Sequence, residues 1–297
     1  MINLQNDSLT FSFPEIASEI QSRLEQRIRE ILPVLVCPEE REGLMLELES
    51  DWRFRSCSSD ERQQLRAQAR SLSDAKIEAA IRQAALSRTS LDGSGAVEFS
   101  IDFQRTLRIP DDGKTYPLPA GFGRFPLRSV DDFPETVRAS WAKRGGVMMP
   151  MYQSEALWLH FSADYPFAVK IGTGMINAVS GDGWTPALQQ DPQNYVVVPG
   201  QPWLDGFAVG KGLIRQFVAM PLGEGYTVEE QLTGKSEIGG LQLQIYPMRA
   251  DSYFRSQLSE KFATSLRELL AYLIEFPMRD AIQYDACLLY TSPSPRD

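Results

Sequence analysis

The stretch VEFSIDF (Val97–Phe103) sets the period on which the fold turns. Val97, Phe99, Ile101 and Phe103 alternate with Glu98, Ser100 and Asp102, the period of two of a strand with one face in a core and the other toward water. Toward the C-terminus, short apolar runs recur at 147–152, 156–161, 167–171, 175–179, 195–198, 213–220 and 241–246. Turn-rich segments such as IPDDGKTYPLPAGFGRFP separate them. Runs this short and closely spaced predict a mainly antiparallel β domain over 97–248, sandwich or barrel-like, and not a wound α/β sheet. Phe167–Val179 (FAVKIGTGMINAV) and Phe207–Val218 (FAVGKGLIRQFV) share a Phe-Ala-Val start and a Gly-x-Gly, and read as two hairpins.

Upstream of Val97 the period changes. Ile16, Ile20, Leu24, Ile28, Ile31 and Leu35 recur at spacings of three and four, one apolar stripe on a helix that Pro14 can open and Pro33 should end. Leu44, Leu48 and Trp52 share a face of a second helix. Ser58 and Glu61 form a capping box for a third, and a fourth is expected at 74–87. Residues 1–90 therefore read as a helical segment, a small bundle suited to self-association or to a partner protein. SLDGSGA (Ser90–Ala96) reads as a linker. After Met248, Phe254, Leu258, Phe262, Leu266, Leu269, Leu270 and Leu273 predict a C-terminal amphipathic helix over 249–286, packed on the β domain. The expected fold class is α+β: a helical N-terminal segment, an antiparallel β sandwich or barrel-like domain, and a C-terminal amphipathic helix.

Hydrophobic residues make up 43% of the chain and charged residues 23%, with a net charge of −9, the composition of a water-exposed globular protein. That charge disfavours nucleic acid and anionic membrane as partners. No apolar run is long enough for a membrane span, and MINLQNDSLTFSF has neither the basic nor the apolar region of a secretory leader. A cytoplasmic protein with Cys37 and Cys57 as free thiols is expected.

The tail CLLYTSPSPRD (Cys287–Asp297) resembles the in-frame translation of a transposase sequencing adapter, and so is expected to be a non-native scar. On that basis the natural frame is seen only to Ala286. Between Arg105 and Met248, the segments RTLRIPDDGKTYPLPAGFG, PMYQSEALWLHF, YVVVPGQPWLDGF, IRQFVAMPLGEGYTVEEQLTG and GGLQLQIYPM resemble a group of bacterial proteins with no assigned activity. Some members are labelled integral membrane proteins, which the absence of an apolar span in this chain contradicts. The resemblance implies a coherent domain and transfers no site residue.

No catalytic constellation stands out. Gly172-Thr173-Gly174 lacks the third glycine of a dinucleotide fingerprint, and Gly234-Lys235-Ser236 lacks the glycine of a phosphate loop, since Glu229 stands there. His160 is the only histidine, which excludes multi-histidine metal sites, and no H-E-x-x-H or C-x-x-C occurs. No cofactor and no metal is expected. The candidate site is a polar sheet face. Trp158 and His160 oppose Leu157, Leu159 and Phe161, while Lys170, Arg215, Gln242 and Gln244 oppose the apolar positions of their own strands. Trp184 and Trp203, in loops, could rim it. Such a face would take a small polar, anionic or sugar-like ligand, either as a non-enzymatic binding module or as an enzyme.

Overall fold

The computed structural model describes residues 2–255 apart from 36–37, 51, 77, 80–94, 111, 113, 115 and 211–212, and in it the chain opens as sheet. Strands β1 (Ile2–Gln5) and β2 (Ser8–Phe13) form an antiparallel hairpin with Gln5 opposite Ser8. Asn6 and Asp7 make its two-residue turn with φ of 50° and 59°. A turn with both central residues at positive φ matches the twist of a hairpin, and Asn and Asp tolerate that region better than other side-chain-bearing residues. This corrects the expected helical N-terminus: strands start the chain, and they belong to the main sheet.

Helices α1 (Pro14–Leu35), α2 (Pro38–Ser50), α3 (Trp52–Ser56) and α4 (Ser59–Arg70) follow. Helix α1 begins at Pro14 but runs past Pro33 to Leu35. Ala17, Ile20 and Leu24 supply its buried stripe. The expected face of Leu44 and Leu48 does not extend to Trp52. Helix α2 stops at Ser50, so Trp52 starts a new helix with 65% exposure while Phe54 is buried in its place. Ser58 and Glu61 complete the capping box of α4, and Arg66 of α4 reaches Glu49 of α2 at 2.8 Å. The fourth helix expected at 74–87 lies mostly outside the described residues.

Strand β3 (Val97–Thr106) is central to a seven-stranded sheet. A short pair, β4 (Arg128–Ser129) with β5 (Val147–Met148), flanks a 3-10 turn at Val130–Asp132 and helix α5 (Ala139–Arg144). Then come β6 (Ala156–Ser162), β7 (Phe167–Thr173), β8 (Ile176–Asn177), β9 (Val196–Val198), β10 (Trp203–Leu204), β11 (Gly206–Gly210) and β12 (Leu213–Val218). Helix α6 (Val228–Thr233), β13 (Leu241–Pro247) and helix α7 (Ala250–Tyr253) close the described chain. The large sheet runs β1-β2-β3-β6-β12-β11, with β10 also on β6; the smaller runs β13-β7-β8, with β9 also on β7. All of these pairings are antiparallel.

The two sheets meet through the odd-numbered side chains of β3, β6 and β7. Phe99, Ile101, Leu159, Val169 and Ile171 are fully buried, and the Phe99 and Phe167 rings lie 5.4 Å apart. Neither sheet closes: β1 and β11 end the large one and β13 is an edge of the small one, so the barrel-like expectation is overturned. Among the described residues antiparallel sheet dominates and the helices are few, which overturns the expected α+β class. The expected C-terminal helix and tail, beyond Arg255, lie outside the described residues.

The chain divides into two compact units, Met1–Pro14 with Ala96–Met248, and Glu15–Gly95 with the segment from Arg249 onward. Phe13 and Val97 are cross-strand partners, so the chain leaves the sheet unit after β2 and returns to it at the neighbouring strand β3.

Candidate functional site

The even-numbered residues of β3 and β6 form the other face of the large sheet. Antiparallel register sets Asp102 opposite His160 and Gln104 opposite Trp158, and β10 sets Trp203 on the far side of His160. One row across three strands therefore reads Asp102, His160, Trp203.

Asp102 is not solvated, although its place in the alternation points it away from the core. The chain after β3 returns as a strap: Arg105 N donates to Gly123 O at 2.9 Å, Phe125 N to Phe103 O at 2.8 Å, and Thr106 Oγ1 to Ala120 O at 3.0 Å. Gln216 holds the strap's start, its amide oxygen accepting from Ile109 N and its Nε2 donating to Leu107 O. Arg124 thus comes to lie opposite Gln104. The Asp102 side chain keeps only 6% exposure and has three partners: the Arg124 guanidinium at 3.3 Å, His160 Nδ1 at 3.3 Å, and the Gln104 amide. With Nδ1 protonated, the imidazole donates to the carboxylate and Nε2 is left without a partner among the described residues. Trp158 stands edge-on to the imidazole, ring centroids 5.9 Å apart, while its Nε1 is buried without an acceptor among the described residues. Trp203 is 44% exposed.

Lys170 lies elsewhere, on the smaller sheet. Strand β7 is covered on both faces, because the chain from 178 to 195 folds over the face opposite the core. Lys170 is fully buried there, donating to Thr185 O and, at 2.7 Å, to Ala187 O, with Nζ 5.0 Å from the centre of the Trp184 ring. Tyr246 donates to Pro186 O at 2.6 Å, so three successive carbonyls are held by the sheet beneath them. Burial pushes the Lys170 ammonium below its ordinary pKa. Gln244 is the cross-strand partner of Lys170, and its Oε1 is buried with no donor among the described residues.

Two expected residues stand apart. Gln242 stitches a turn, accepting from Met175 N at 2.8 Å and donating to Gly239 O at 2.8 Å. Arg215 pairs with Phe207 at the exposed β11–β12 edge, in phase with Phe217, whose partner Leu157 is a core residue. It is therefore on the opposite side of the sheet from His160. The single polar face expected from sequence resolves into Trp158, His160 and Trp203 on the large sheet, and Lys170 and Gln244 on the small one, covered by a loop that carries Trp184. Asp102, Gln104 and Arg124 were not among the expected site residues. The signal for Asp102 was its polar phase in VEFSIDF, opposite the only histidine; Arg124 is placed by the strap and has no local signal.

The Gly-x-Gly and Gly-Lys-Ser stretches are backbone features. Thr173 and Ile176 pair across the β7–β8 hairpin turn, and Gly234 ends α6 with φ of 70°, a left-handed cap. Among the described residues no cluster of three or more His, Cys, Asp or Glu could hold a metal, and no helix is long and apolar enough to cross a membrane.

No family model, curated protein or solved structure matches this chain. The chemistry rests on the site.

Proposed function

We propose that the chain is a non-enzymatic binding module, and that a small polar ligand docks on the strap-side face of the large sheet at His160, Arg124 and Trp203. One observation carries this: a nearly buried Asp102 carboxylate ties together side chains from β3, β6 and the strap. Withdrawing a carboxylate from water is costly unless it is paired. A merely solvated face has no need of one. Its effect is to hold an imidazole and a guanidinium in fixed positions before a ligand arrives, which lowers the ordering cost of binding. A net charge of −9 and the absence of a spanning helix among the described residues support a cytoplasmic setting.

The test is a thermal-shift screen of the full chain against polar metabolites, followed by calorimetry. His160→Ala and Asp102→Asn should each weaken any hit about tenfold or more, with the fold retained by circular dichroism. Unchanged affinity in both variants would reject the site.

A second reading, an enzyme acting on a small polar substrate at the same face, is favoured by the carboxylate–imidazole contact that leaves Nε2 available to take a proton. Product formation from a bound compound would decide for it. Self-association would instead use the helical unit, where Leu46 and Trp52 are 69% and 65% exposed. A concentration-dependent sedimentation coefficient lost in Trp52→Ser would reveal it.

A further inference from the structure

Resting on the binding face just proposed, we infer that its ligand is an uncharged hydroxylated ring of the sugar class, stacked on the indole of Trp203. The charges argue first. Of the cations expected to attract an anion, Lys170 is buried beneath the 178–195 segment on the other sheet, and Arg215 lies on the opposite side of the large sheet. The cation that does reach the face, Arg124, is already paired with Asp102 at 3.3 Å. One guanidinium and one carboxylate cancel, and the chain around them carries −9. An anion would have to displace or sit beside a fixed carboxylate, which opposite-charge steering cannot favour here.

The remaining chemistry suits hydroxyl groups. A hydroxyl donates and accepts at once, and the face offers both kinds of partner: the guanidinium N–H groups that Arg124 keeps beyond its contacts with Asp102 and Asn6 O, and the Nε2 of His160, with which no described residue bonds. Asp102 positions both from below. Beside them Trp203 is 44% exposed and anchored by strand pairing, with Trp203 opposite His160 and Leu204 opposite Leu159. An indole presents a broad apolar face with an electron-rich π cloud, to which the C–H face of a sugar ring is complementary. A ring held so has its apolar side covered and its hydroxyls directed at the Asp102–Arg124–His160 row.

The experiment titrates the full chain by calorimetry and tryptophan fluorescence with two matched sets. One holds neutral saccharides (glucose, galactose, N-acetylglucosamine and their short oligomers); the other holds sugar phosphates, uronates and inorganic phosphate. The expected result is saturable binding of a neutral saccharide, weakened tenfold or more by Trp203→Ala, largely kept by Trp203→Phe, and no tighter for its phosphorylated counterpart. Tenfold tighter binding of an anion, lost in Arg124→Gln, overturns the sugar class while leaving the binding face standing. Neutral binding that survives Trp203→Ala also overturns it. If nothing in either set binds, the sugar class falls, while the binding face stands or falls on the thermal-shift screen. Should Trp203→Ala not fold, Trp203→Leu carries the same comparison, since it keeps apolar bulk and removes the aromatic face.

Discussion

Two buried ionisable side chains, Glu229 and Lys170, stabilise loops by opposite means. Glu229 is 3% exposed, and its carboxylate accepts from the backbone N–H of Glu237, Ile238 and Gly239 at 2.9, 2.9 and 2.7 Å. Burial alone would raise its pKa, but the three amide bonds outweigh that and hold it below the ordinary 4.5. A carboxylate depressed in the folded state contributes stability that is present above 4.5 and is lost as pH falls through the folded pKa. Glu229→Gln should therefore cost roughly 2–3 kcal/mol in urea denaturation at pH 7, the scale of hydrogen bonds to a charged group. The difference from wild type should shrink as pH is lowered below 4.5. Lys170 has the reverse logic. Burial lowers its pKa from 10.5, so the fold favours the neutral amine. The stabilising contribution is complete above 10.5 and is lost as pH falls through the lowered value. Lys170→Met relieves the buried charge but orphans Thr185 O, since Ala187 O keeps its bond from Asn194. An orphaned carbonyl costs roughly 1–3 kcal/mol. Wild type should therefore gain on Lys170→Met as pH rises from 7 toward 10, measured by the same denaturation.

At the scale of elements, the segment from 178 to 195 is seated on β7 through a glycine. A Cβ on Gly172 would fall 2.7 Å from the Trp184 ring, so only a bare backbone lets the indole lie against the strand. Gly172→Ala should displace Trp184, changing near-ultraviolet circular dichroism and tryptophan emission, and cost roughly 1–3 kcal/mol by overpacking. Local pattern made much of this layer legible: period-two runs located β3, β6, β7, β9, β12 and β13 to within a few residues. It failed where partners are distant. INLQ and SLTFSF do alternate, with a turn-forming Asn-Asp between them, yet that short hairpin is stable only because Phe13, Phe11 and Leu9 pair with Val97, Phe99 and Ile101. Nothing within the first residues announces that partner. The candidate site was half legible for the same reason. His160 and Trp158 advertise their phase within β6, and Asp102 its phase within β3. That Asp102 is buried depends on a strap whose return path has no periodicity. Lys170 has the same polar phase as His160, and only the covering segment separates a solvated cation from a buried one.

For the whole molecule, the pairing of Phe13 with Val97 has a structural consequence. The chain leaves the sheet unit after Phe13 and returns at Val97, neighbouring positions on adjacent strands, and loop tips are where domain insertions are tolerated. The sheet unit, Met1–Pro14 with Ala96–Met248, has its own buried core: Phe99, Ile101, Leu159, Phe161, Phe167, Val169 and Ile171 all come from within it. The sheet should therefore fold without the insertion. Joining Phe13 directly to Val97 through Asn-Gly, and ending the chain at Met248, replaces the helical unit with a two-residue turn of the type that suits this antiparallel pair. The expected product has a β-type far-ultraviolet spectrum, dispersed amide resonances and a cooperative thermal transition. It should also keep the Asp102–His160 contact, because every residue that places those two side chains lies in the retained segments. A collapsed product without dispersion would mean that the core residues of β3 and β6 need the helical unit to stay ordered, and the chain would then be one folding unit rather than a host and its insertion.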